Sequence, residues 1–196
     1  MNASMGRKDV MYDAERVKCV ADITRAQAAT RPDAVAQVFE GRETTYGELD
    51  RRASQVAQAL IADGCKPDAR IGFMGKGSDR YFEMLYGAFK AKAVVVGVNW
   101  RLAAPEVAYV LNDSRTEILF VGAEFYDLVE KVLPECPTVR KVIALDGGRN
   151  DWQSFDDWRG AAKAEHPMMP AAPDDDVRHD YTSRTPSHAT RVQPPT

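Results

Sequence analysis

Residues 70–122 read RIGFMGKGSDRYFEMLYGAFKAKAVVVGVNWRLAAPEVAYVLNDSRTEILFVG, and this stretch decides the fold. A short apolar run, 71–74, has the composition of a strand and is broken by Gly75-Lys76-Gly77. Ser78 follows as a helix cap, because its hydroxyl can accept an orphan backbone N–H of the first turn. Tyr81, Met84, Leu85, Ala88 and Phe89 then recur at helical spacing and make one apolar face. Residues 94–98, VVVGV, are β-branched and apolar on both faces, the pattern of a strand covered on both sides in a parallel sheet. Pro105 is placed as a first helical residue, with Glu106 beside it to complement the helix dipole. Val107, Val110 and Leu111 form its buried stripe, and 117–121 returns to strand. Strand, helix, strand, helix and strand in so short a span imply right-handed crossovers in a three-layer α/β fold.

Outward from this stretch the signals continue. Residues 1–14 read as a disordered lead-in. A helix is expected over 15–29, with Val17, Val20, Ala21, Thr24 and Ala28 near one face, ended by Arg31-Pro32-Asp33. Two short strands, 35–39 and 43–45, turn at Glu40-Gly41-Arg42. Thr45-Tyr46-Gly47-Glu48 fits a capping box, in which Thr45 serves the third amide and Glu48 reaches back. Leu49, Ala53, Val56 and Leu60 mark that helix's buried stripe, and Arg51, Arg52, Gln55 and Gln58 its wet side. Gly64 closes it in a left-handed conformation. Beyond Gly122, Phe125, Leu128, Val129, Val132 and Leu133 give another helical stripe, stopped by Pro134 and Pro137. A strand over 142–145, a turn at 146–150 and a short helix capped by Ser154, with Trp158 packing inward, complete an α/β unit over 15–165. Residues 166–196 are proline-rich, polar and without apolar period, and read as linker and disordered tail.

Composition sets outer bounds. With 196 residues, 44% hydrophobic, the chain can bury one core. Its 26 basic and 29 acidic residues are interspersed and sum to −3, which gives no footprint for nucleic acid or an anionic membrane. No apolar run approaches the roughly 18–20 residues that span a bilayer. The N-terminus lacks the apolar core of a signal peptide. Cys19, Cys65 and Cys136 are odd in number and widely spaced, so a disulfide framework or zinc site is not expected and a reducing cytoplasm fits.

Isolated chemical signals are weak. Gly75-Lys76-Gly77 lies where a phosphate loop would, but lacks the rest of any such motif, so turn chemistry is the expected role. Asp174-Asp175-Asp176 is read as a solvated linker run. His166, His179 and His188 sit in the polar tail with no nucleophile elbow. Trp100 and Arg101 are read as a packed indole and an ion-paired guanidinium.

The run KAVVVGVNWRLAAPEVAYVLNDS, extended back to TTYGELDRRASQVAQAL and on to EILFVG, resembles the N-terminal subdomain of AMP-forming acyl-CoA synthetases in the adenylate-forming ligase superfamily. The resemblance covers most of 42–122. The Asn99-Trp100-Arg101-Leu102 and Pro105-Glu106 spacing is similar to the fatty-acid branches. Lys92 stands where that family has Gly, and Gly97 where it has Pro. The resemblance implies ATP, CoA and magnesium as cofactors and a fatty or other carboxylic acid as substrate. It also implies a glycine-rich phosphate loop after an acidic linker, Tyr-Thr-Ser-Gly-Thr-Thr-Gly-x-Pro-Lys-Gly. Here Tyr181, Thr182, Ser183 and Thr185 match, but Arg184, Ser187 and Arg191 replace glycines and Thr190 the lysine. Thr182, Ser183 and Thr185 are therefore the candidate cofactor-binding remnant, with no catalytic or metal-binding residue named. Read this way the chain is a truncated ligase with a decayed or frame-disrupted phosphate loop, inactive alone, with an apolar face free to self-associate. The alternatives are a non-catalytic α/β interaction module and an independent nucleotide binder, the latter opposed by the absent glycine fingerprint.

Overall fold

The computed structural model describes residues 17–170, 172, 175–183 and 189–192. A 3-10 turn, Val20–Asp22, leads into α1 (Ile23–Thr30). The hairpin β1 (Val35–Phe39) and β2 (Arg42–Thr45) precedes α2 (Tyr46–Ala62). Then come β3 (Arg70–Met74), α3 (Asp79–Lys90), β4 (Val94–Gly97), α4 (Ala104–Asp113) and β5 (Ile118–Val121). A 3-10 turn, Ala123–Phe125, and α5 (Tyr126–Val132) follow. Next are β6 (Lys141–Ala144), β7 (Gln153–Ser154), α6 (Phe155–Gly160), β8 (Arg178–Ser183) and β9 (Ala189–Val192).

Among the described residues the main sheet has the order β7-β6-β5-β3-β4-β8-β9 and is parallel except for the β8–β9 pair. Its central strands are apolar on both faces because both faces are covered. Ile71, Phe73, Val95, Ile118, Phe120 and Ile143 belong to one core, which α2, α3 and α6 close. Met74, Val96, Leu119, Val121, Val142 and Ala144 belong to the other, closed by α4 and α5. The expected three layers therefore form. α2 and α3 approach closely at Gly87, where an added Cβ would lie 2.4 Å from Val56 Cγ1.

The start signals act as read. Thr45 Oγ1 accepts the Glu48 amide at 3.2 Å and Glu48 Oε2 accepts the Thr45 amide at 2.9 Å. Ser78 and Ser154 cap α3 and α6 through the amides of Tyr81 and Asp157. Gly64 takes φ +82° after α2. Lys92 takes φ +56°, the left-handed conformation that glycine adopts without strain, so the Gly-to-Lys departure keeps the turn.

Several expectations are corrected. The helix expected over 15–29 becomes regular only at Ile23. Asp22 Oδ2 accepts the amides of Lys18 and Cys19 at 3.1 and 3.3 Å, which folds the preceding residues into a turn. Pro105 is the second residue of α4, not the first. Pro134 does not end its helix outright but sits in a 3-10 turn, Leu133–Glu135. Arg52, Gln55 and Gln58 are not simply wet. Arg52 pairs at 3.0 Å with Glu83, which is 1% exposed and also meets Arg159. Gln55 and Gln58 donate to the carbonyls of Ala162 and Glu165. The segment after α6 packs over α2 and supplies these partners, which no local pattern encodes. Finally, part of the stretch read as tail adds a strand to the sheet. Val95 and Val96 of β4 pair in parallel with Arg178 and His179. An open strand edge selects a partner through backbone donors and acceptors, so a polar segment suffices.

Candidate functional site at the carboxyl edge of the sheet

The connection after β3 runs to α3 on one face, whereas those after β4 and β5 run to α4 and α5 on the other. The strand order thus reverses direction around β3. In open α/β sheets, ligands bind beyond the carboxyl ends of the strands at such a switch point. Two clefts open there. One, of about 310 Å³, lies beyond β3, β4 and β8 and is lined by Phe73, Tyr81, Gly97, Asn99, Arg178 and Tyr181. The other, of about 510 Å³, lies beyond β3 and β5, between Lys76–Ser78 and Gly122–Glu124.

β8 brings its polar residues to the first cleft. Arg178 Nε donates to Asp180 Oδ1 at 2.8 Å, and its Nη1 faces the Tyr81 hydroxyl at 3.4 Å. Burial works against the Arg178 charge, but Asp180 and Tyr81 more than offset it and leave its pKa raised. Gly97 makes room for this pair, since an added Cβ would sit 3.3 Å from Asp180 Oδ1 and 3.7 Å from Arg178 Nη2. The departure from proline at Gly97 and the polar strand at 178–180 therefore occur together in space. On the other face of β8, Tyr181 donates its hydroxyl to Asp113 Oδ2 at 2.7 Å, and His179 is 3% exposed with Asp176 3.5 Å away. Nearer the linker, Lys92 Nζ holds Asp175 at 3.0 Å. The expectation that His179 lies in a polar tail is corrected: strand pairing buries it. The alternation of charged Arg178 and Asp180 with the ring side chains of His179 and Tyr181 was the available signal.

At the second cleft the Gly75-Lys76-Gly77 turn has its cation already engaged. Lys76 Nζ lies 3.0 Å from Glu124 Oε1. Glu124's own backbone amide and then Lys76 hold its carboxyl below the ordinary range. Trp100 is 36% exposed, 6.2 Å from the Phe125 ring. Arg101, read as ion-paired, instead stacks its guanidinium 4.2 Å from the Trp100 ring centroid.

The structure places Thr182 and Ser183 in β8, paired antiparallel with Thr190 and Ala189 of β9. Thr185, Arg184, Ser187 and His188 lie outside the described residues, as does Asp174. A triphosphate needs close backbone donors and a cation. From residue 181 onward there is no glycine and no lysine, and the backbone at 182–183 is committed to a ladder. These residues do not fit the phosphates of ATP. Among the described residues no group of His, Cys, Asp or Glu is placed to hold a metal ion. The buried Cys65 thiol is pushed up to about 11 by desolvation, which disfavours the nucleophilic thiolate.

Comparison with known proteins gives the class of molecule this architecture belongs to. Residues 24–186 match the family of AMP-binding enzymes, and the chain belongs to that family. It is 37% identical over 171 residues to the fatty acid–[acyl-carrier-protein] ligase ScoC of Streptomyces coeruleorubidus, covering 87% of this chain and 31% of that protein. It is 27% identical over 178 residues to the 3-oxocholest-4-en-26-oate–CoA ligase of Rhodococcus rhodochrous, covering 86% and 31%. Among solved structures, a Mycobacterium tuberculosis fatty acyl CoA synthetase superposes with a TM-score of 0.80 at 27% identity, covering 92% of this chain and 35% of that one. An anthranilate CoA ligase in complex with anthranoyl-AMP superposes at 0.85 and, at 24% identity, shows the same fold. The chain spans about a third of the length of these relatives. Among the described residues no helix is long and apolar enough to cross a membrane.

Proposed function

We propose that the chain is the N-terminal part of an ATP-dependent ligase that activates a fatty or other carboxylic acid and passes it to the thiol of CoA or of a carrier protein. The observation that carries this reading is the position of Tyr181-Thr182-Ser183. They end the strand beside the switch point, inside the matched family span, where the resemblance implies the phosphate loop. Magnesium and ATP belong to the complete reaction. Alone, this chain contributes scaffold and no turnover, because attraction without preorganised donors gives binding but little rate. Arg184 and Arg191 supply charge, and so weak, nonspecific attraction of ATP. The chain resides in the cytoplasm in this reading, and it self-associates through an exposed apolar face that includes Val38 and Phe82, which are 62% and 42% exposed.

The test is pyrophosphate release with ATP, magnesium and a panel of fatty and aromatic acids. The expected result is no carboxylate-dependent release. Turnover that disappears in Thr182→Ala and Ser183→Ala variants would overturn the inactivity and assign those residues to a working loop. Sedimentation at rising concentration checks self-association, and a clean monomer that binds no hydrophobic dye removes it.

A further inference from the structure

Between α6 and β8 the chain crosses the end of α3. There residues 166–170 form one wall of a cavity of about 800 Å³ that is otherwise lined by α1, the turn before it and Lys90. The crossing is fastened on both sides. Toward α6, Gln55 and Gln58 of α2 donate to the carbonyls of Ala162 and Glu165 at 3.2 and 2.9 Å. Toward β8, Asp175 accepts the Ala172 amide at 2.8 Å and pairs with Lys92 at 3.0 Å. Between these fastenings Met168 stands at φ +52°, a left-handed conformation uncommon for a residue with a side chain. Its amide donates to His166 Nδ1 at 2.9 Å. Pro167 and Pro170 have no amide to offer in its place.

That bond requires a neutral imidazole. Because Nδ1 accepts, the ring hydrogen sits on Nε2, which is buried and has no hydrogen-bond partner. A further proton therefore adds at Nδ1 and sets a second donor against the Met168 N–H. The charge it brings meets cations. From α3 comes Lys90, which Asp50 and Ser54 of α2 hold at 2.6 and 2.9 Å. From α1 comes Arg25, paired with Asp22 at 2.5 Å. The turn before α1 adds Lys18 and the Cys19 thiol, which burial raises and keeps protonated. Asp22 also accepts the amides of Lys18 and Cys19. Both nearby carboxylates, Asp22 and Asp50, are thus committed to other partners, and Glu165 is exposed. Burial, then Lys90 and Arg25, hold the His166 pKa below the ordinary 6.5, against the smaller pull of Asp50 and Asp22.

We propose that residues 166–170 are a strap that closes over this cavity at neutral pH and is released in mild acid, with His166 as the trigger. Protonation breaks the bond that holds Met168 left-handed and places an imidazolium beside Lys90 and Arg25. Once released, the ring is in water and titrates near the free value of about 6.5. The released form therefore takes up the proton more readily than the closed one. The closed strap is fully stable above about 6.5 and loses stability as pH falls from there to the lowered value of the closed form. The pairing of β8 with β4 lies beyond the Lys92–Asp175 fastening and is kept. No residue of the carboxyl edge takes part, so the strap is independent of the ligase reading.

Amide exchange in the full chain, followed by NMR from about pH 7.5 to about pH 5 and corrected for the intrinsic rate, reads the release. The Met168 amide should lose protection as pH falls, by at most about tenfold per pH unit, the limit for one proton. Amides of β3 and β5 should keep theirs over the same range. The His166 ring C2 proton should titrate below the ordinary value. His166→Asn, whose Oδ1 replaces the Nδ1 acceptor and does not titrate, should make Met168 protection independent of pH. Arg25→Gln removes one opposing cation and should make the loss smaller. Protection at Met168 that does not change with pH overturns the proposal, as does an equal loss in His166→Asn. A parallel loss in β3 and β5 also overturns it, since acid then unfolds the whole domain. So does a His166 ring that titrates at or above the ordinary value.

Discussion

Strands β3, β4, β5 and β6 and strands β8 and β9 are joined in one sheet but held by different forces. The first four bury Ile71, Val95, Leu119, Phe120 and Ile143 between two helical layers, almost all at 0–1% exposure. Each such side chain contributes about 1.5–3 kcal/mol on burial. β8 offers Arg178, His179 and Asp180 instead, and it is held by a ladder to β4, by Tyr181 packed against the second core and by the polar contacts of Arg178 with Tyr81 and of Tyr181 with Asp113. The contrast shows that a central strand is specified by what covers its faces, whereas a strand added beyond β4 can be specified by the ladder that β4 offers. It also locates the chemistry. Arg178, Asp180 and Tyr181 of the weakly held strand line the first cleft together with Phe73 and Gly97 of the strongly held ones, and the second cleft takes no residue from β8.

The largest expected effect tests the platform. Phe120→Ala removes a ring that meets Phe155 at 6.0 Å and Trp158 at 5.3 Å, and should cost about 3–5 kcal/mol in urea unfolding followed by tryptophan fluorescence. Next is Lys90→Met, which keeps volume but strips Asp50 of its ion pair. Asp50 is 20% exposed and retains the Thr24 hydroxyl at 2.8 Å, so the loss should be about 3 kcal/mol, the lower end for a broken buried pair. A stability change near zero would show that burial of this network is offset by its own desolvation.

Tyr181→Phe tests the β8 side of the sheet. Losing the hydroxyl bond to Asp113 should cost about 1 kcal/mol, seen as faster amide exchange at His179 and Asp180 with the unfolding midpoint little changed. A global fall like that of Phe120→Ala would erase the distinction between the two regions. The smallest effect is a pH dependence. Glu48's bond to the Thr45 amide, followed in part by Arg52, holds its carboxyl below the ordinary 4.5. A depressed carboxylate contributes stability that is present above the unfolded value and lost as pH falls through the folded one. Acid unfolding between those two values should therefore be shallower in Glu48→Gln than in the native chain.

The sequence alone determined the platform. The valine run at 94–96, the stripes of α2, α3 and α4, and the capping box at Thr45 are local patterns whose period or hydrogen bonding is complete within a few residues. It also determined that residues 181–196 carry no glycine and no lysine, which can be read without coordinates. Only the tertiary structure decided the rest. Lys90 with Asp50, Glu83 with Arg52 and Arg159, and Tyr181 with Asp113 join residues 31 to 76 positions apart. Gly87 became a contact only once α2 met α3, and β8 a strand only once β4 offered an edge. Pairings of this kind depend on which elements the fold brings side by side, and the chain writes that down nowhere locally.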